Sequence, residues 1–203
     1  MSVIVDDLKL FLSGKAPFTD YLSDKKRTYT ASPDYLIYTV SFHGNRNVAA
    51  FEEAIKPPAG STIIDVGCCA GITGLNLAWQ GYPVTFHDFE GLGLDFIRWF
   101  SSRHQLNATV IPYGDELPIC YDLLVALDVL EHTGNHLAFV HWISTLAHQV
   151  RICYPLSAGF SPPYANVLDE WVDDEIIRET VAKRYRIIRD EDPDGRRFLI
   201  WDT

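Results

Sequence analysis

Residues Thr62 to Gly74 read Thr-Ile-Ile-Asp-Val-Gly-Cys-Cys-Ala-Gly-Ile-Thr-Gly, and this stretch decides the fold. An apolar β-branched run ends at Asp65, glycines follow at Gly67 and Gly71, and a helical pattern comes next. This order predicts a strand, a tight turn and a helix. Glycine permits positive φ and lets a ligand approach the backbone, while the start of the helix offers unpaired N–H groups. We therefore expect the turn to bind a nucleotide-like ligand.

Two further apolar stretches follow at the distances that such a ligand requires. The run from Tyr82 to Asp88 predicts a second strand that ends in an acid. Asp88 lies roughly 20 residues beyond Gly67, the offset at which a carboxylate accepts hydrogen bonds from ribose hydroxyls. The run from Tyr121 to Asp128 predicts another strand and leads directly into Val-Leu-Glu-His. Asp88 is therefore the candidate ribose ligand.

These three stretches together resemble the class I S-adenosylmethionine-dependent methyltransferases. They read Ile-Ile-Asp-Val-Gly-Cys-Cys-Ala-Gly, Val-Thr-Phe-His-Asp and Tyr-Asp-Leu-Leu-Val-Ala-Leu-Asp-Val-Leu-Glu-His. The last, with Leu-Asp-Val-Leu-Glu-His at the fourth strand, is most similar to small-molecule methyltransferases. A dinucleotide-binding Rossmann domain is the rival interpretation, but its Gly-x-Gly-x-x-Gly pattern does not occur in this turn. The resemblance implies an α/β three-layer sandwich around a mostly parallel seven-stranded sheet that ends in an antiparallel hairpin.

The resemblance also implies S-adenosylmethionine as cofactor and a set of residues that hold it. Asp65 matches the acid beneath the methionine end of the cofactor, and Asp88 matches the ribose acid. An acid after the third strand meets the adenine amino group, and Asp115 is the better candidate, Glu116 the alternative. A solvated turn is the competing interpretation of both. The expected cofactor-binding residues are Arg46, Asp65, Gly67, Cys69, Gly71, Asp88, Phe89, Asp115, Glu116 and Asp128.

Cys69 departs from the family pattern, and Arg46 is the candidate partner of the cofactor carboxylate. The family usually has glycine at the place of Cys69, where a side chain presses on the amino-acid portion of the cofactor. This departure predicts a lower affinity for the cofactor or a shifted pose. Related enzymes of quinone biosynthesis often place an arginine near Arg46 to hold the carboxylate of the cofactor. The alternative is an exposed arginine at the start of a helix predicted over residues 45 to 55.

The residues after the fourth strand are the candidates for catalysis. Methyl transfer from a sulfonium is an in-line displacement, so a base is needed only when the nucleophile must lose a proton. His132 could accept such a proton near neutral pH, and a purely structural histidine is the alternative. Asp128, Glu131 and His132 also resemble, in part, the Glu-x-x-Glu-His metal cluster of certain O-methyltransferases. The first acid differs, so we do not favour a divalent metal.

Composition and charge limit the remaining function classes. With 203 residues, 47% of them hydrophobic, the chain supports one substantial core, so we expect a single domain over residues 1–203. The formal charge of −10 repels a phosphate backbone and argues against a nucleic-acid partner. The four cysteines follow neither a zinc nor a disulfide spacing. A signal peptide and an 18-residue apolar run are also absent from the sequence, so we expect a cytoplasmic protein without membrane association.

The flanking segments are expected to complete the domain. Residues 1–44 are predicted to form a lid, because this segment commonly folds over the cofactor in small-molecule methyltransferases; simple packing of its aromatic residues is the alternative. Ser-Pro-Pro-Tyr at residues 161 to 164 follows the fifth strand and not the fourth, so we interpret it as a loop. Periodicity predicts helices over residues 91–104, 136–146 and 173–184, and strands over 108–112, 150–154, 185–189 and 198–201.

Taken together, the sequence predicts an enzyme that transfers a methyl group from S-adenosylmethionine to a small molecule. One alternative is a binding or regulatory protein of the same fold with impaired catalysis, which Cys69 motivates. Another is a protein methyltransferase, for which residues 1–44 and 155–172 offer little room for a peptide groove. The acceptor atom and the oligomeric state do not follow from the sequence.

Overall fold

Seven strands form one sheet in the order β3-β2-β1-β4-β5-β7-β6. The computed structural model describes residues 2–15, 30–45, 56–118, 120–156, 172–191 and 196–203. The strands are β1 (Ile63–Val66), β2 (Val84–Asp88), β3 (Ala108–Pro112), β4 (Tyr121–Leu127), β5 (Ala147–Pro155), β6 (Arg186–Glu191) and β7 (Arg196–Asp202). The helices are α1 (Ser2–Leu12), α2 (Pro33–Asn45), α3 (Ile72–Trp79), α4 (Leu92–His104), α5 (His136–Ile143) and α6 (Asp174–Ala182). A 3-10 turn covers Leu130–His132.

The chain divides into two compact units, Met1–Glu116 and Leu117–Thr203. In the first unit, β1, β2 and β3 are parallel, and the register places Val66 beside His87 and His87 beside Ile111. All four residues of β1 are buried. Because the carboxyl ends of parallel strands meet at one edge of a sheet, the residues that follow β1, β2 and β3 come together there.

The segment before β1 contributes helices α1 and α2 to this first unit. Helix α1 packs against α2 and α4, burying Leu8 and Leu12. Helix α2, which the sequence analysis did not predict, begins at a clear signal. The Ser32 hydroxyl accepts a hydrogen bond from the Tyr35 N–H at 3.1 Å, and Pro33 occupies the first helical position. The predicted helix over residues 45–55 lies, apart from its first residue, outside the described residues.

The second unit contains the predicted antiparallel end of the sheet. Strands β4 and β5 are parallel, whereas β7 is antiparallel to both β5 and β6. The predicted hairpin is therefore confirmed. Its core includes Trp201, which is fully buried and donates its indole N–H to the Ser144 hydroxyl at 3.2 Å. Helix α6 is capped by Asp173, whose carboxylate accepts from the Ile176 N–H at 3.1 Å.

The bounds of most elements agree with the sequence analysis. Strand β3 has the predicted limits, α4 begins one residue late, and α5 and α6 end a few residues early. Strand β5 begins three residues earlier than predicted because residues 147 to 149 pair with β4 and β7 despite an exposed His148. Over the part of the chain that is described, none of the helices has the length and apolar character needed to cross a bilayer.

Candidate functional site

The glycine-rich turn after β1 has an unusual backbone. Gly67, Cys69 and Gly71 have φ values of 66°, 50° and 69°. The turn is held by the Gly67 N–H, which donates to the His87 carbonyl at 2.8 Å, and by the Gly71 N–H, which donates to the Cys68 carbonyl at 2.7 Å. Left-handed backbone favours glycine because a Cβ atom crowds the carbonyl. Cys69 thus occupies a position whose conformation suits glycine, in agreement with its departure from the family pattern.

Asp65 is buried beneath the first turn of α3. Its side chain lies in a residue only 4% exposed, and Oδ2 accepts a hydrogen bond from the Gly74 N–H at 2.9 Å. Burial raises the pKa of Asp65 to about 7, although the Gly74 N–H opposes this shift. The observed partner of Asp65 is therefore the helix that follows the turn, and a role beneath the cofactor stays a prediction.

Asp88 faces the turn directly. Its Oδ2 accepts from the Cys69 N–H at 2.7 Å, and its Oδ1 accepts from the Phe89 N–H at 2.6 Å. Burial raises the pKa of Asp88, and these two N–H groups oppose the shift. A carboxylate oxygen has room for more than one hydrogen bond, so Asp88 can accept from further donors. The structure thus brings together Asp88 and the turn, as the offset between them predicts.

Glycines allow α4 to pack closely on the turn and α3 to pack closely on β1 and β2. A Cβ atom at Gly93 would lie 2.3 Å from the Cys69 carbonyl oxygen. At Gly74 it would lie 2.3 Å from the Phe86 ring and 2.7 Å from Asp65 Oδ2. The sequence analysis did not single out either glycine. A glycine inside a helical pattern is the signal that could have found them, since it costs helix stability without another reason.

Two exposed aromatic side chains follow the second and third strands. Phe89 is 38% exposed and Tyr113 is 64% exposed, and their ring centroids lie 5.0 Å apart. Asp115 and Glu116, the adenine candidates, are also exposed. Burial lowers the pKa of His87, and the charges of Asp88 and Asp115 oppose this. Phe89, Tyr113 and Asp115 thus belong to the same edge of the sheet as Asp88.

The candidates in the second unit have structural partners. Asp128 has a φ of 58° and forms an ion pair with Arg196. Arg196 also donates to the Cys153 sulfur at 3.5 Å. Glu131 is buried, and His132 is partly exposed at the end of the 3-10 turn. Asp128, an expected cofactor-binding residue, thus has Arg196 as its observed partner, and its contact with the cofactor stays a prediction.

The first acid of the metal alternative, Asp128, lies beside a cation of the protein. Within the described ranges, no group of three or more His, Cys, Asp or Glu side chains is arranged to hold a metal ion. The positive charge beside Asp128 is already supplied by Arg196. Arg46 and the Ser-Pro-Pro-Tyr loop lie outside the described residues, so their predicted roles stay predictions.

Comparison with known proteins points to one fold. No family model matches the chain. The ubiquinone biosynthesis O-methyltransferase of Rickettsia akari (strain Hartford) is 26% identical over 113 residues, which are 53% of this chain and 40% of that protein. The match thus spans less than half the length of that relative.

Solved methyltransferase structures match this chain over more of its length. Magnesium protoporphyrin IX methyltransferase (ChlM) from Synechocystis PCC 6803 with bound SAH matches with a TM-score of 0.65 and 18% identity, covering 100% of this chain and 95% of that chain. TehB from Haemophilus influenzae matches with a TM-score of 0.63 and 15% identity, covering 82% of this chain and 66% of that chain. Together with the strand order and the glycine-rich turn, these likenesses show that the chain has the class I S-adenosylmethionine-dependent methyltransferase fold.

Proposed function

We propose that this protein transfers a methyl group from S-adenosylmethionine to a small molecule. The contact between Asp88 and the turn carries the proposal, since Asp88 Oδ2 lies 2.7 Å from the Cys69 nitrogen. A carboxylate fixed beside a glycine-rich turn, at the end of the neighbouring parallel strand, is placed to accept from ribose hydroxyls. The names of the relatives support the same chemistry, because they include an O-methyltransferase and a methyltransferase solved with SAH.

The exposed side chains near Asp88 are the proposed partners of the adenine part of the cofactor. Phe89 and Tyr113 offer flat apolar faces for an adenine ring, and their spacing of 5.0 Å matches ordinary aromatic contact. Asp115 or Glu116 would accept from the adenine amino group. Asp65 acts through α3, whose first turn it holds at Gly74. We retain Arg46 as the proposed partner of the cofactor carboxylate.

Few protein groups are needed for the reaction itself. The cofactor, when bound, supplies a methyl group on a positively charged sulfur. The protein must align the acceptor and, for a hydroxyl acceptor, remove its proton. We propose His132 for this step, because its residue is partly exposed and its backbone is fixed in a short turn. The His132 N–H donates to the Val129 carbonyl at 2.9 Å.

The net charge of −10 favours a small molecule over a nucleic acid as the methyl acceptor. We also propose a cytoplasmic location.

A second candidate function is that of a protein that binds the cofactor but does not catalyse methyl transfer. Cys69 favours it, because a side chain in left-handed backbone at φ 50° stands where the family has glycine. A protein that binds the cofactor without methylating any acceptor would have the same fold and the same Asp88 contact. Binding and turnover must therefore be measured separately.

Calorimetric titration with S-adenosylmethionine and S-adenosylhomocysteine tests the binding site. We expect micromolar binding by the native protein and a loss of about 30-fold or more in Asp88→Ala, because a carboxylate that accepts two hydroxyls is lost. Asp6→Ala, which removes an exposed acid of α1, is the matched control and should leave the affinity unchanged. Absence of binding by the native protein would refute the proposal. Unchanged affinity in Asp88→Ala would place the ligand elsewhere.

Transfer of a labelled methyl group tests turnover. The protein is incubated with methyl-labelled S-adenosylmethionine and a cell extract that has been separated into small molecules, protein and nucleic acid. We expect label in the small-molecule fraction and a strong reduction in His132→Ala. Label in the protein fraction alone would favour the protein methyltransferase alternative. Binding with no label in any fraction would favour the non-catalytic alternative.

A further inference from the structure

Three segments of the first unit meet at Cys69. The Thr39 hydroxyl of α2 lies 3.5 Å from the Cys69 sulfur. Gly93, in the first turn of α4, is so close that a Cβ atom there would lie 2.3 Å from the Cys69 carbonyl oxygen. A Cβ atom at Gly91 would lie 2.3 Å from the carbonyl oxygen of Thr30. The N-terminal segment, the turn and the start of α4 therefore form one junction.

The hydrogen bond between Thr39 and Cys69 has a definite direction. The Thr39 hydroxyl donates within its own helix, to the Tyr35 carbonyl at 2.9 Å or the Leu36 carbonyl at 3.0 Å. Its single proton is then committed, while its oxygen can still accept. Burial raises the pKa of Cys69 to about 12, so the thiol keeps its proton at neutral pH. The thiol is therefore the donor and the Thr39 oxygen the acceptor.

Cysteine at this position has opposite effects on the turn and on α2. With φ at 50°, its Cβ atom disfavours the backbone conformation of the turn relative to glycine. Its sulfur, however, provides the contact to Thr39, which glycine could not make. The backbone of the same residue donates its N–H to Asp88. Cys69 thus joins α2 on one side and the candidate ribose acid on the other.

We propose that Cys69 is a positioning residue that fastens helix α2 to the turn, so that binding of the cofactor and docking of α2 are coupled. The identity of the ligand rests on the proposed function. The contact itself does not, because it exists between residues of the protein alone. A residue that only filled space would need neither a donor at Cys69 nor an acceptor at Thr39.

Hydrogen exchange of the unliganded protein tests the contact. We expect the amides of α2 to exchange about two- to tenfold faster in Cys69→Ala and in Thr39→Val, as follows from the loss of one hydrogen bond. Cys69→Ser and Thr39→Ser, which keep a donor and an acceptor, should exchange like the native protein. The double variant Cys69→Ala with Thr39→Val should be no faster than either single variant. Native exchange in Cys69→Ala, or additive effects in the double variant, would overturn the contact.

Cys69→Gly separates this contact from general destabilisation. Glycine suits the left-handed backbone, so the midpoint of urea unfolding should be unchanged or higher while α2 exchanges faster. A variant that merely damaged the fold would lower the midpoint and speed exchange together. Slower or native exchange of α2 in Cys69→Gly would contradict the proposal.

Titration with S-adenosylhomocysteine tests the coupling. In the native protein the ligand should slow exchange of α2, and Thr39→Val should bind it about two- to tenfold more weakly. Thr145→Val, which removes another hydroxyl that donates within its own helical turn, should bind normally. Native affinity in Thr39→Val together with no effect of the ligand on α2 would overturn the coupling. If the native protein binds no ligand, the proposed function fails, whereas the exchange measurements without ligand still decide whether Cys69 fastens α2.

Discussion

Two acids of the first unit, Asp65 and Asp88, have different partners from two acids of the second unit, Asp174 and Asp202. In Met1–Glu116, Asp65 and Asp88 accept from backbone N–H groups, and burial raises the pKa of both. In Leu117–Thr203, Asp174 and Asp202 accept from arginines. Burial opposes the shift at Asp174, yet Arg197 holds its pKa below the ordinary value, and Arg186 does the same at Asp202.

This difference separates acids that can bind a ligand from acids that stabilise the fold. A carboxylate held only by backbone N–H groups keeps its charge uncompensated and can accept from a ligand. A carboxylate paired with a planar guanidinium has its negative charge compensated by the arginine. Arg197 donates two hydrogen bonds of 2.9 Å to the Asp174 carboxylate and one of 2.9 Å to the Asp190 carboxylate. Asp65 and Asp88 of the first unit are therefore the acids best placed to accept from a ligand, whereas Asp174 and Asp190 hold α6 and β6 to Arg197 of β7.

The largest effect is expected from breaking the backbone contact of Asp65. Gly74→Ala would place a Cβ atom 2.3 Å from the Phe86 ring and 2.7 Å from Asp65 Oδ2. We expect a loss of about 2–3 kcal/mol in the free energy of unfolding, although alanine normally stabilises a helix. Urea unfolding measures it. Asn76→Ala in the same helix is the control and should change stability by less than about 0.5 kcal/mol. A stabilised Gly74→Ala would show that α3 is free to move away from the turn.

The next effect comes from removing the cation of the second unit. Arg197→Ala leaves Asp174 and Asp190 without this partner, and we expect a loss of about 2 kcal/mol at pH 7. Because the pKa of Asp174 is lowered in the folded protein, its contribution is present above the ordinary value of 3.8 and is lost as the pH falls. The difference from the native protein should therefore shrink below about pH 4.

Arg189→Ala provides the matched control for Arg197→Ala. Arg189 pairs with Glu191 at 2.6 Å, but the two side chains are 36% and 49% exposed. Because an exposed pair contributes little to stability, Arg189→Ala should lose much less than Arg197→Ala. Equal losses in the two variants would mean that the network around Arg197 adds nothing beyond an ordinary surface pair.

The pH dependence of the first unit should have the opposite sign. The pKa of Asp65 rises from 3.8 to about 7 on folding, so the folded protein holds an extra proton in this range. The free energy of unfolding should accordingly fall by about 1–2 kcal/mol as the pH rises from about 5 to about 7. Asp65→Asn removes this titration, and urea unfolding of both proteins across the range gives the difference. A difference that does not change with pH would show that Asp65 stays ionised throughout.

The smallest effect belongs to an ion pair whose arginine is exposed. Arg186 and Asp202 pair with side chains that are 80% and 33% exposed. Arg186→Ala should change stability by less than about 0.5 kcal/mol, and salt at about 1 M should remove the difference. A loss of stability that persists at high salt would show that Arg186 stabilises the sheet through packing and not through its charge.

Local patterns in the sequence predicted the elements that carry the site. The apolar run and acid at Asp88 set both the second strand and its offset from the turn, and the limits of β3 followed from its flanking turn residues. Helix α2 was missed although Ser32, Pro33 and Asp34 form a helix start, because the aromatic residues nearby were interpreted as pocket lining.

Contacts between distant segments could not be predicted from the same patterns. Thr39 and Cys69 are 30 residues apart, and only the packing of α2 brings their side chains together. The partner of Asp128 was missed for the same reason, since Arg196 reaches it through the pairing of β7 with β5. Periodicity reports which face of an element is buried, and it carries no information on which segment covers that face.

The close approach of α4 to the turn has a consequence for protein engineering. Replacing helix glycines by alanine is a common route to thermostability and is worth about 1 kcal/mol per site. Gly93 is an exception, because its Cβ atom would strike the Cys69 carbonyl at 2.3 Å. Gly14 and Gly81 have open space but φ values of 83° and 95°, so they resist alanine for a conformational reason. A stabilisation library that replaces helix glycines by alanine should therefore omit Gly93, because α4 packs directly on the turn there.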